Sequence, residues 1–453
     1  MIPVLTPEEM RAVDRAAAEP EEVLVARAGG AVARAALSML GGAYGRRVVV
    51  VAGKGNNGAD GRVAADRLRR RGIRVEVVDA GDQPERLPAS DLVIDAAYGT
   101  GFRGYYTAPD PAGAPVLAVD IPSGIDGLTG EAQPGAVRAT ATITFAALKT
   151  GLLLGAGFSH AGRVSVADIG LDVSRSTIGL VEASDVAAWL PDRERDSHKW
   201  KSAIWMIAGS PGMTGAAEMA ARASLRAGAG TVRLGIPGQP PSPRFPEVVG
   251  RWLPEEGWDT DVVAGELERM KAVVMGPGLG RSDATAAAVR RLVAQAAAPM
   301  VLDADALFAL GSLDDPARFL RSRPGPTVLT PHDGEFSRLT GCPPGPRRIS
   351  AVRHLAFTTG ATVLLKGSTT IVADPAGDVL LTTAGDARLA TAGTGDVLAG
   401  VIGAFLAQGL DAPQAAAAGA FVHGAAAGLG WRRGLVAGDL LDLLPAVLNT
   451  IAP

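Results

Sequence analysis

Short β-branched runs alternate with helix-forming segments in two successive rounds along this chain, and that alternation leaves few folds open. Strands that recur after a helix build parallel sheets covered by helices, so each round calls for a doubly wound α/β unit. In the first round the runs fall at Arg47 to Ala52, Ile73 to Val78, Leu92 to Asp95, Val116 to Val119 and Thr140 to Phe145. In the second they fall at Ala203 to Ala208, Thr231 to Leu234, Ala272 to Met275, Met300 to Asp303, Thr327 to Leu329, Thr362 to Leu365, Thr369 to Ala373 and Val379 to Thr382. A polar, proline-bearing stretch, Pro191 to Ser197, separates the rounds, and no segment is repeated between them. Two different α/β domains are therefore predicted, 1–195 and 196–453; the 453 residues exceed one typical core.

The formal charge of −3 and the short, scattered arginine clusters give no pull toward nucleic acid or an anionic membrane. Cys342 stands alone, which excludes an intrachain disulfide and a thiolate metal cluster. Glu8, Glu9 and Asp14 occupy the place where a signal peptide needs basic and then apolar residues. The longest apolar stretch, Ala412 to Gly430, is interrupted by Pro413, Gln414 and His423 and reads as a buried helix. A cytoplasmic enzyme acting on small molecules is the expectation, with no nucleic-acid or membrane partner.

The residues that carry chemistry cluster at strand ends. Gly393-Thr394-Gly395-Asp396 opens a helix, so its free N–H groups and the helix dipole can hold phosphate oxygens. Asp396, just inside that helix, is placed to take a proton from a hydroxyl beside the phosphate. Upstream, Gly53-Lys54-Gly55-Asn56-Asn57-Gly58-Ala59-Asp60-Gly61 satisfies the dinucleotide fingerprint through Gly53, Gly55 and Gly58, with Asp79 about 20 residues on. Its interior is unusually polar for that role, and Asn56 and Asn57 suit reading a ligand's polar edge or a cation. Asp95 leads into Tyr98-Gly99-Thr100-Gly101-Phe102-Arg103-Gly104, and Asp120-Ile121-Pro122-Ser123-Gly124-Ile125-Asp126 closes another strand. Loops at the carboxyl ends of parallel strands converge on one crevice, so Asn57, Asp95, Asp120 and Ser123 are expected to face one pocket. Asp60 and Asp126 read equally well as caps or turn formers, and Lys149 as an acid/base partner or a solvated lysine. On these residues alone a hydroxyl kinase, a nicotinamide dehydrogenase and a nucleotide-binding first domain without catalysis all stay open.

The loop patterns GxGNNGxDG, DxxxGTGxxG and DIPSGxDxxTG, in this order, resemble the NAD(P)H-hydrate epimerase domain. The second half resembles the ribokinase-like, ADP/ATP-dependent NAD(P)H-hydrate dehydratase. Its matching segments are Gly209 to Ala216, Gly276 to Gly280, Leu302 to Leu307, Leu329 to Phe336, Lys366 to Thr370 and Gly393 to Leu398. The whole chain is similar to the fused bifunctional NAD(P)H-hydrate repair enzymes of bacteria. The resemblance implies a Rossmann-like N-terminal and a ribokinase-like C-terminal domain. It further implies the R and S hydrates of NADH and NADPH as substrates, ADP or ATP with Mg²⁺, K⁺, and allows a homo-oligomer.

Carried onto this sequence, Asn56, Asn57, Gly58, Ala59 and Asp60 would bind the hydrate, as would Gly99, Thr100, Gly101, Phe102, Arg103, Gly104 and Tyr105. Asn57, Asp95 and Ser123 would hold potassium. Asp120 would contact the hydrated ring and, with Lys149, move its proton. In the second domain Lys366, Gly367, Ser368, Thr369 and Thr370 would hold nucleotide phosphates, and Gly393, Thr394 and Gly395 the transferring phosphoryl group. Asp396 would be the base. Ala216, Gly278 and His332 would contact the hydrate, a buried structural histidine being the other reading of His332. Three departures stand out: Ala59 replaces a usual glycine and would strain the loop at positive φ. Tyr105 and Tyr106 replace smaller residues, and Asp386-Ala387 stands where Asn-Pro is common.

Overall fold

The computed structural model describes residues 1–102, 104–240, 245–264, 267–311 and 320–451. It divides into two compact units, Ile2–Ile178 and Gly179–Pro453, the second including Met1. The division falls before residue 195 because Ala183–Trp189 forms a helix packed on Ala412–Leu429 and Ala437–Ile451, the final helices of the second unit. The polar stretch 191–197 is exposed apart from the half-buried Ser197, and it lies inside that unit.

The first unit carries a six-stranded parallel sheet in the order Arg74–Asp79, Arg47–Ala52, Leu92–Ala96, Val116–Val119, Ala141–Phe145, Arg163–Ala167. The four strands between the two edges are almost wholly apolar and buried on both faces, as a sheet covered by helices requires. The chain runs from Arg47–Ala52 out to the edge, then crosses back to Leu92–Ala96. The loops after those two strands therefore splay apart and open a crevice at the topological switch point. Helix Glu21–Leu40, long and apolar enough to cross a membrane by length and composition, packs here along helix Asn56–Arg69. The opening strand Ile2–Leu5 pairs in parallel with Leu148–Lys149, placing Leu5 opposite Lys149.

The second unit repeats the logic in a larger sheet. From Val248–Leu253 at one edge the order is Thr231–Pro237, Ala203–Ile207, Ala272–Met275, Met300–Leu302, Thr327–Leu329 and Thr362–Leu365, all parallel. Thr370–Ala373 and Val379–Thr382 then extend it antiparallel. Its switch point lies between Ala203–Ile207 and Ala272–Met275, where Gly209 N–H donates to the Pro277 carbonyl at 2.7 Å. Helix Thr394–Gln408 is buried along most of its length against Thr214–Arg226 and the sheet. A Cβ on Gly400 would run into the Ala220 carbonyl, so the close approach of these two helices requires glycine there.

The strands Arg163–Ala167 and Val248–Leu253 were not apparent in the sequence. Both lie at sheet edges with most side chains exposed or half-buried, so neither has the apolar run that marks a central strand.

Candidate active sites

The first crevice is a cavity of about 650 Å³ lined by Asn56, Asn57, Asp60, Gly99, Thr100, Gly101, Phe102, Asp120 and Lys149, among others. Asn56 and Asn57 are not loop residues: helix Asn56–Arg69 begins at them, with Gly55 as an extended N-cap lacking any side-chain cap. The first-turn N–H groups thus have no side-chain cap, and Gly55, Asn56 and Asn57 line the cavity. A Cβ on Gly58 would run into the Gly53 carbonyl, which fixes glycine at that turn. Ala59 does not strain the loop. It lies in the helix, its N–H donating to the Gly55 carbonyl at 3.0 Å, and alanine favours that conformation.

Lys149 is fully buried and its Nζ lies 3.0 Å from Asp120 Oδ1. It also donates to Thr144 Oγ1, the Phe145 carbonyl and the Ala147 carbonyl at 3.0, 2.8 and 3.1 Å. Thr144 Oγ1 in turn donates to Asp120 Oδ1 at 3.0 Å. Asp120 itself sits at φ 66°, a left-handed conformation costly for a non-glycine residue and typical of functional sites. Lys149 is therefore a fixed partner of Asp120, not a solvated surface lysine.

Asp95 and Ser123 do not line the cavity with Asn57 and Asp120, as the convergence of strand ends had predicted. Both are buried, and they bind each other: Ser123 N–H and Oγ donate to the Asp95 carboxylate at 2.8 and 2.7 Å. Burial raises the Asp95 carboxyl to about 6 despite those donors. Tyr98 N–H donates to Ser123 Oγ at 2.9 Å, tying this pair to the start of the glycine loop. By contrast both polar atoms of the Asn57 side chain are buried without a partner. Asp126 serves as a turn former, accepting from Leu128 and Thr129. Gly104 and Tyr105 lie outside the cavity lining, with Tyr105 exposed and Tyr106 buried against Tyr98; Arg103 falls outside the described residues.

In the second unit Lys366 Nζ lies 2.6 Å from Asp303 Oδ1 and 4.0 Å from Glu335. Burial opposes its charge, yet Asp303 and Glu335 hold its pKa above the ordinary lysine value. A Cβ placed on Gly395 would sit 3.5 Å from the same Nζ, so cation and helix N-terminus share one spot. Helix Thr394–Gln408 starts there with Gly393 as a left-handed N-cap and no side-chain cap. Asp396 is raised to about 6 by burial and by Asp303, against the pull of Lys366.

Gly278 abuts Ala216, its added Cβ falling 3.1 Å from that side chain. His332 is not a core residue. It is exposed and caps helix Asp333–Thr340, Nδ1 accepting from Gly334 and Glu335 N–H. Ser368 and Thr369 lie between strands Thr362–Leu365 and Thr370–Ala373, where Arg348 donates to the Lys366 carbonyl at 3.5 Å. Asp386 does its own capping, accepting from Arg388 N–H, and Arg388 holds its carboxyl down at about 2.

Four residues that sequence reasoning gave no role belong here. Asp303 and Asp305 flank Ala304, which sits at φ 49°, and Asp305 accepts from Gly280 N–H at 2.9 Å. Thr330 Oγ1 donates to Asp303 at 2.8 Å. His423 is buried beside the backbone of Thr394, lowered by burial to about 4 and so neutral. The Asp-Ala-Asp spacing was a visible signal for the first two; His423 offered none.

Two family profiles match parts of the chain. One, described as NAD(P)H-hydrate dehydratase, matches residues 204–446. The other, the YjeF-related protein N-terminus, matches 21–89 and 78–151. A bifunctional NAD(P)H-hydrate repair enzyme of Mycobacterium leprae is 40% identical over 90% of each chain. One from Moorella thermoacetica is 36% identical over 99% of this chain and 97% of its own. The ADP/ATP-dependent NAD(P)H-hydrate dehydratase of Bacillus subtilis, co-crystallised with ATP/Mg²⁺, superposes with TM-score 0.52 at 32% identity. The match covers 60% of this chain and 97% of that one. A ribokinase-like protein of Enterococcus faecalis shares the fold, with TM-score 0.54 at 23% identity.

Proposed function

The chain belongs to the family of bifunctional NAD(P)H-hydrate repair enzymes, and from that premise we propose how its residues divide the work. It interconverts the R and S hydrates of NADH and NADPH and dehydrates the S form at the expense of ADP or ATP. The first cavity is the seat of interconversion. Asn56, Asn57, Asp60 and the Gly99 to Phe102 loop hold the hydrate there, with Asp120, positioned by Lys149 and Thr144, as the proton-transfer group on the ring.

The second site carries dehydration, and the observation that supports this most is the meeting of Lys366, Asp303 and Asp396 at the N-terminus of helix Thr394–Gln408. Lys366 to Thr370 hold the nucleotide phosphates. The N–H groups of Gly393 to Gly395 receive the transferring phosphoryl group, and Asp396 takes the proton of the ring hydroxyl. The phosphorylated oxygen then leaves as phosphate. Magnesium, which would be held mainly by nucleotide oxygens and water, would supply neutralisation of the phosphate charge. Ala216, Gly278 and His332 contact the hydrate.

Potassium fits the first site through oxygen donors. The unpartnered Asn57 amide oxygen and the buried Asp95 carboxylate suit a hard cation, with Ser123 orienting Asp95.

The test is Asp396→Ala. Dehydration of S hydrate should fall at least about 100-fold, the usual loss on removing a general base, while R/S interconversion continues. A variant that still dehydrates at near wild-type rate would remove Asp396 from this role.

A further inference from the structure

Asp60 is 7% exposed and lines the cavity, yet no hydrogen bond or ion pair reaches its carboxyl among the described residues. A buried carboxyl without a partner is costly when ionised. The charged groups lining the same cavity are Asp120 and Lys149, Asp14, Arg11 and Arg15 from helix Pro7–Arg15, and Glu19 and Glu21. Asp120 has donors from Lys149 and Thr144; Asp60 has none. Two carboxyls with such different surroundings are suited to opposite protonation states and hence to opposite roles.

We propose that Asp60 is the proton donor of the interconversion, acting on the ring hydroxyl of the hydrate while Asp120 receives the matching proton. The inference rests on the epimerase reading of this cavity. Water adds to an enamine with its oxygen on the carbon bonded to nitrogen, so the hydroxyl sits beside the ring nitrogen. Asp60 gives its proton to that hydroxyl, the carbon–oxygen bond breaks with its electron pair leaving on water, and the nitrogen lone pair forms the iminium bond. Water then attacks the other face and loses a proton to Asp120. The reverse reaction runs the same steps with the two carboxyls exchanged.

The experiment uses the full chain and pure R hydrate without nucleotide, following S hydrate by chromatography over the uncatalysed blank. Asp60→Asn should lose at least about 100-fold in this rate, whereas ADP-dependent dehydration of S hydrate by the second unit stays at the wild-type level; an unchanged circular dichroism spectrum and a retained melting transition show that the first unit folds. Burial and Asp120 raise the Asp60 carboxyl to about 8, so the wild-type rate should decline above that pH. Because the folded state holds this proton and the unfolded state releases it near 3.8, wild-type stability falls as pH rises from 4 toward 8. Asp60→Asn removes that loss and should melt higher than wild type at pH 8. In ¹⁸O-water each interconversion should introduce one solvent oxygen. An equally active Asp60→Asn, or retention of the original oxygen, overturns the assignment. A wild type unable to interconvert the hydrates removes the epimerase reading, and the proposal with it.

Discussion

Without the Lys149 ammonium, Asp120 would keep Thr144 as its donor in a site that is mostly buried. Breaking a buried pair from one side costs about 3–5 kcal/mol, so Lys149→Met should lower the urea midpoint correspondingly; a loss under about 1 kcal/mol would contradict the pairing. The pH dependence of dehydration follows from Asp396. The base must be ionised, and burial with Asp303 raises it to about 6, so kcat/KM should fall as pH drops through that value. Asp305 adds to the upward shift, and Asp305→Asn should move the acid limb to lower pH. At this scale the sequence was legible where an acid stands just past a strand or in the first turn of a glycine-led helix, as with Asp120 and Asp396. It was silent on partners: Thr144 and Glu335 have ordinary surroundings in the chain and matter through what the fold sets beside them.

Helices packed closely on one another impose limits that override propensity. Glycine to alanine inside a helix normally stabilises by about 1 kcal/mol. At Gly400 the added methyl meets the Ala220 carbonyl, so Gly400→Ala should destabilise by about 1–3 kcal/mol. Gly428, with nothing within 4 Å of its added Cβ, should tolerate alanine without loss. Thermal midpoints of the two variants decide the matter, and equal behaviour would count against the packing described. Among elements, central strands were readable because burial on both faces demands continuous apolar runs. The glycine loop was misread at one point, since Asn56 and Asn57 already belong to a helix whose polar first turn disguises it. Edge strands escaped because their exposed faces carry charged residues, as Arg251 and Glu247 near Val248–Leu253 illustrate.

Across the whole molecule, two switch points in two sheets give two sites, one holding a paired acid and lysine beneath a cavity, the other a cation at a helix N-terminus. The order of the motifs made this plan readable. The division at Ile178 was not, because the contact of Ala183–Trp189 with distant helices leaves no local mark. The most direct test of the two-site account follows the return of reduced-nicotinamide absorbance from a mixed R/S hydrate preparation with ADP and Mg²⁺. The account predicts complete recovery by the wild type, because interconversion feeds the R form into dehydration. Recovery that halts once the S form is consumed would contradict a working first site, and no recovery with ADP or ATP would contradict the whole.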